Sequence, residues 1–205
     1  MSLFSQDSKF TKFMSRLTDV CRLNILWLLF SLPVVTVGAA TVAAYSVALK
    51  MVDDEESYIT KSFIQAFRNN FKQGTLLWLL TAAALYALYI DAQLVFTAEK
   101  PSIGLCVVSI LSAAAVFCTF VYAYPLTARY DNTLQNNLRN SFSISMKYPL
   151  RTFAVFLICA VETYLFTFNM LMEVFGILVG PMILFYTVSG AAKRMFLRIE
   201  KDNQL

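Results

Sequence analysis

The sequence predicts an all-α polytopic bundle of about five membrane segments, with interfacial amphipathic helices and an internal repeat. Three observations predict it. The 205-residue chain is 58% hydrophobic, with a mean hydropathy of +0.60. Its apolar residues collect into uncharged runs longer than the core of a soluble domain of this size needs. Its Lys and Arg cluster at the ends of those runs, as membrane orientation requires. The net charge of +4 is therefore an orientation signal and not the footprint of a nucleic-acid partner.

Residues 1–22 carry Lys9, Lys12, Arg16 and Arg22, with Phe10, Phe13, Met14 and Leu17 at helical spacing among them. They read as an amphipathic helix on the membrane surface, ahead of a single transmembrane domain at 23–205. The first membrane segment, about 23–49, has no charge between Arg22 and Lys50. As straight helix such a run would be ~40 Å long, more than a ~30 Å hydrocarbon core needs. It is expected to break at Pro33 and Gly38, because proline removes a donor and glycine relaxes the backbone. Past the break Gly38, Ala39, Ala40, Ala43, Ala44 and Ala48 allow close helix approach. Val37-Gly38-Ala39 offers small residues for signal cleavage, but the apolar run continues to Leu49, so the segment is expected to be retained.

Residues 50–72 combine Lys50, the acidic run Asp53-Asp54-Glu55-Glu56, Lys61, Arg68 and Lys72 with an apolar stripe at Ile59, Phe63, Phe67 and Phe71. This predicts an interfacial helix leading into a second membrane segment at about 74–96. A tight connection containing Pro101 leads to a third at about 103–128. Residues 129–151 are polar again. Segments at about 152–172 and 174–192 follow, divided at Glu173 and ended by the basic tail Lys193, Arg194, Arg198 and Lys201. Shifted by 75 positions, Ile59, Phe63, Phe67 and Phe71 fall on Leu134, Leu138, Phe142 and Met146, which predicts two parallel halves.

The run from Asn24 through Trp27, Pro33 and Thr36 to Gly38 resembles the opening signature of the YesL-like family of bacterial integral membrane proteins. A second patch, Asp54-Glu55-Glu56-Ser57-Tyr58 followed by Ser62-Phe63, Ala66-Phe67 and Asn70-Phe71-Lys72, is similar to it too. The similarity is specific over residues ~20 to 80. It implies a small polytopic protein, encoded beside genes for sugar import and polysaccharide breakdown. It implies no reaction and no site residues.

Residues 50–72, 129–151 and 193–205 hold four each of the seventeen Lys and Arg, so these segments, and the C-terminus with them, are expected on the cytoplasmic side of the bacterial inner membrane. The four basic residues before residue 23 also belong inside. A single crossing by 23–49 would satisfy the repeat; a hairpin folded at Pro33 to Gly38 would satisfy the charges, and is the expectation here.

Chemistry is sparse. The chain has no His, which excludes Ser-His-Asp and Cys-His arrangements and His-ligated metals. Cys21, Cys106, Cys118 and Cys159 form no CxxC pair and read as buried hydrophobes. No cofactor or metal is expected, and no catalysis. Glu162 is the first candidate, because an acid at the centre of a membrane helix costs ~2.5–3.5 kcal/mol. Asn169 and Glu173, seven and eleven positions on, would share its helical face as a polar lane. The lane reads as a ligand or ion path, or Glu162 is a neutral group bonded to a neighbouring helix. Asp91 with Tyr86, Tyr89 and Gln93 is a second candidate, against simple interfacial anchoring. Gly176 and Gly180, in GxxxG before Pro181, should mark close helix packing.

The reading is an accessory or regulatory membrane component linked to carbohydrate uptake, its partners the lipid bilayer and a sugar permease or other membrane protein. The alternative is a small transporter or ligand receptor using the Glu162 lane.

Overall fold

A helix of small residues can be approached from every side, and this bundle is built around one. The computed structural model describes residues 9–52, 58–98 and 102–202, and every regular element among them is helical. Helix α1 (Lys9–Ser31) stops before Pro33, a 3-10 turn (Val34–Thr36) follows, and α2 (Val37–Val52) begins. Every residue of α2 from Gly38 to Tyr45 is buried, as are Val47, Ala48 and Leu49. Helices α1, α3 (Ile59–Asn69), α4 (Phe71–Thr97), α6 (Ala123–Arg129) and α9 (Met170–Asp202) all pack on it.

The break at Pro33 is closed by Thr36, whose hydroxyl meets the carbonyls of Phe30 at 2.6 Å and Pro33 at 2.7 Å. The Trp27 indole N–H then donates to Thr41 Oγ1 at 3.1 Å. Fourteen residues of straight helix would hold them about 21 Å apart, so the chain has reversed. The expected hairpin forms, with Leu32, Val34 and Val35 exposed at its tip. The expected division at residue 22 does not: α1 runs straight through it, so the basic segment and the entry to the hairpin are one helix. Residues 1–8 lie outside the described residues.

Helices α2 and α4 touch at their backbones. A Cβ on Gly38 would overlap the Gly74 carbonyl oxygen and Trp78 Cβ, and one on Gly74 would lie 2.7 Å from Ala39 Cα. This contact corrects the expected placement of residues 50–72 at one level. Lys50 lies twelve residues along α2 from Gly38, about 18 Å, whereas Lys72 adjoins the crossing. Between them α3 buries Ile59, Phe63 and Ala66 against Leu23, Ala40, Ala43, Ala44 and Val47, because its apolar stripe has a protein partner to meet. The acidic run Asp53 to Glu56 lies outside the described residues.

The expected run 103–128 is two helices, α5 (Ile103–Phe120) and α6. In an unbroken helix the Tyr122 N–H would bond the Cys118 carbonyl. Here the Ser141 hydroxyl, from α7 (Leu134–Lys147), stands between them. It accepts from the Tyr122 N–H at 3.2 Å and donates to the Cys118 carbonyl at 3.3 Å. Ser145 donates to the same carbonyl at 2.9 Å. A side chain inserted in the ladder is a recognised cause of a kink. It also turns α7 over. The face α7 buries is Asn137, Ser141, Ile144 and Ser145, and Phe142 and Met146 of the expected stripe are exposed. The 75-residue shift therefore pairs the buried Ile59 and Phe63 with the half-buried Leu134 and Leu138, and the half-buried Phe67 with the exposed Phe142.

Helix α8 (Pro149–Phe166) and α9 form an antiparallel hairpin. Their turn is at Thr167 to Asn169, not at Glu173, because Asn169 Oδ1 caps α9 by accepting from the Met172 N–H at 3.0 Å. Glu173 consequently sits in the first turn of α9, where the helix dipole favours an acid. Among the described residues four stretches are long and apolar enough to cross a membrane: Val34–Val52, Phe71–Thr97, Ile103–Arg129 and Pro149–Phe166. The expected segment 174–192 lies inside α9. Gln73 donates to the Asn132 carbonyl at 2.7 Å and Arg129 pairs with Glu200 at 3.2 Å. The start of α4, the end of α6 and the end of α9 thus share one end of the bundle, the basic end.

Candidate functional site

Glu162 faces α9. Its Oε1 accepts from the Thr187 hydroxyl at 3.0 Å, and its buried Oε2 has no hydrogen-bond partner among the described residues. Asn169 and Glu173 do not continue a lane from it. The shared face assumed one helix through residue 173, and the chain turns back at Thr167. Phe166, at the end of α8, fills the notch left by Gly176 and Gly180: a Cβ on Gly176 would lie 2.7 Å from Phe166 Cβ, and one on Gly180 3.3 Å from the ring. The GxxxG motif thus receives an aromatic ring within the same chain, and not the backbone of a helix.

The α4–α5 hairpin is stitched in the same way as α8–α9. Asp91 Oδ2 accepts from the Ser112 hydroxyl at 2.9 Å, while Tyr86, Tyr89 and Gln93 are exposed on another face of α4. The four residues do not converge. Carboxylate-to-hydroxyl bonds between helices satisfy polar groups that would otherwise face hydrocarbon.

Asn24 solves a problem set by Pro181. A proline inside a helix leaves the carbonyl four residues earlier without its donor. That carbonyl belongs to Ile177, and Asn24 Nδ2, fully buried in α1, donates to it at 3.1 Å. The pairing was not legible in the sequence, because the residues stand 153 positions apart.

A polar cluster that sequence reasoning missed lies at the basic end. A cleft of about 360 Å3 opens there, with Leu126, Ile144 and Phe196 as its apolar floor and Tyr130, Asn140, Ser143, Lys147 and Glu200 among its walls. Glu200 is held by Arg129 and by the Tyr130 hydroxyl, which donates to it. Burial, and then the bond to Glu200, push the Tyr130 hydroxyl up to about 12, so it remains a donor at neutral pH. The Lys147 ammonium stands 5.6 Å from the Tyr148 ring centroid. The side chains of Asn140 and Ser143 make no hydrogen bond to another described residue. Beneath, Asn137 donates to Thr127 at 3.0 Å and Tyr122 meets Thr152 at 3.2 Å, so the floor is fixed. The signal that could have found this site is the i, i+4, i+8 series Asn137, Ser141, Ser145, a polar stripe on a helix with a competing apolar one. Among the described residues no three of His, Cys, Asp and Glu come together as metal ligands.

Residues 20–92 match the family described as "Protein of unknown function, DUF624". The uncharacterised protein YesL of Bacillus subtilis (strain 168) is 27% identical over 136 residues, 63% of this chain. The chain spans 63% of the length of that curated relative. No solved structure matches. The two matches support a YesL-like family of uncharacterised proteins, in agreement with the resemblance of the opening signature.

Proposed function

We propose that the chain is an accessory or regulatory component of the bacterial inner membrane, linked to carbohydrate uptake or utilisation and acting by binding, not catalysis. The observation that carries the reading is where polar groups with unused bonding capacity gather. They line open clefts, one of them at the basic end, and not a path along the bundle. The carbohydrate link rests on the genetic setting that the family resemblance implies. The distribution of Lys and Arg supports a cytoplasmic basic end and C-terminus. Gentle purification of the tagged chain from its own membrane, followed by mass spectrometry, tests the reading. A sugar permease subunit is the expected companion. Recovery of the chain with a bound small solute and without any protein partner would overturn it.

That outcome would favour a second reading, a small transporter or ligand receptor centred on Glu162. The unpartnered Oε2 of a carboxylate among apolar helices supports it, since such an acid can take a cation or proton. Growth on the relevant carbohydrate with Glu162→Gln in place of the parent tests it. Normal growth at normal expression removes this reading.

A further inference from the structure

A second cleft, of about 800 Å3, lies between α1 and α3. Arg22 lines it from α1. Lys61, Gln65 and Arg68 line it from α3, at positions i, i+4 and i+7 of one helical face. Asp19 is the one acid among the described residues that line it. No ion pair joins Arg22, Lys61 or Arg68 to another described residue. Three exposed cations with an amide between them make a donor-rich site, and its natural complement is a compact anion with several acceptor oxygens. The next residues on the Arg22 face of α1 are Ile25 and Leu29, three and seven positions on, and they are 54% and 56% exposed. A polar site for an anion therefore runs directly into an apolar stripe on the same helix. A free phosphate would use the first and have no use for the second; a phospholipid uses both.

We propose that the α1–α3 cleft binds the headgroup of an anionic phospholipid, with the exposed Ile25 and Leu29 as apolar contacts beside it. Arg22, Lys61 and Arg68 contact the phosphate, and Gln65 offers a neutral donor to the headgroup. A zwitterionic lipid lacks the net charge to compensate three cations and binds less well.

The full chain, purified in mild detergent, is mixed with equal amounts of phosphatidylglycerol and phosphatidylcholine of the same acyl chains, and retained lipid is read by native mass spectrometry. Phosphatidylglycerol is expected in clear excess. Arg22→Gln, Lys61→Gln and Arg68→Gln should each lower its retention about fivefold, the worth of one cation at a membrane surface. Arg139→Gln, at an exposed cation on α7 away from the cleft, should leave it unchanged. Each variant is used only if it melts with the parent in phosphatidylcholine, and the three single changes keep the test open if one fails to fold. Equal retention of the two lipids would overturn the proposal. So would a loss in Arg139→Gln as large as in the cleft variants, which would indicate diffuse charge attraction. Displacement of phosphatidylglycerol by millimolar inorganic phosphate would show a phosphate site instead.

Discussion

Replacing Gly74 by Ala adds one methyl group where α4 meets the backbone of α2. The new Cβ would stand 2.7 Å from Ala39 Cα and 3.0 Å from the Ala39 nitrogen. Ordinary carbon contacts are about 3.5–4.0 Å, so the helices must part by about 1 Å. Neither offending atom is the end of a flexible side chain, so rotamer changes cannot absorb the strain. Overpacking of this kind costs about 1–3 kcal/mol, against about 1 kcal/mol gained from the better helix propensity of alanine. The net expectation is a loss of up to about 2 kcal/mol and a lower melting temperature in detergent. Gly38→Ala should lose at least as much, and Gly38→Leu more. The two alanine changes should not add, because the first already separates the helices. Gly190 provides the internal control. It lies in α9 with nothing within 4 Å of a Cβ, so Gly190→Ala keeps only the propensity gain and should be neutral or stabilising. Thermal melts by circular dichroism compare all four. A Gly74→Ala protein that melts with Gly190→Ala would refute the backbone contact.

Four further outcomes follow from the polar contacts. Asn24→Leu should destabilise the chain by leaving the Ile177 carbonyl without its donor, and Pro181→Ala should reduce that loss by restoring the helical N–H; equal losses in both backgrounds would remove the link between Asn24 and the proline. Ser141→Ala should cost about 1–3 kcal/mol in the same melts, since it strands the Tyr122 N–H and weakens the hold on the Cys118 carbonyl; a neutral result would mean that Ser145 alone maintains the kink. Glu162→Gln should fold normally, because the amide oxygen still accepts from Thr187, and Thr187→Val should lose about 0.6 kcal/mol in the parent but nothing further once Glu162→Leu has removed the acceptor; a larger, additive loss would place the stabilisation elsewhere. Single cysteines at Asn70, Asn136 and Asp202 should all be shielded from an external thiol reagent and one at Thr97 should react, because three of these positions lie at the basic end and the fourth at the far end of α4; strong external labelling at the exposed Asn136 would invert the orientation.

Composition and run length by themselves determined that this chain is a helical membrane bundle, since burying apolar helix in lipid needs no tertiary partner to be recognised. They also determined the break near Pro33, a covalent property of proline, and the role of the small residues of α2. The charge distribution led to the hairpin, which the Trp27–Thr41 bond requires. What the tertiary structure decided is which face each helix buries and where each run ends. On α7 an apolar and a polar stripe compete, and the polar one is buried because the interrupted α5–α6 ladder offers unmet backbone groups that only hydroxyls can satisfy. The turn at Asn169 was set by a side-chain cap and not by the charge of Glu173, so a lane drawn along one continuous face was divided between two antiparallel helices. The cleft at the basic end draws its walls from α6, α7 and α9, and its bonded pair Tyr130 and Glu200 stands 70 positions apart along the chain. No local period encodes such a site, because the energy that assembles it comes from contacts between helices whose separation in sequence carries no information about their separation in space.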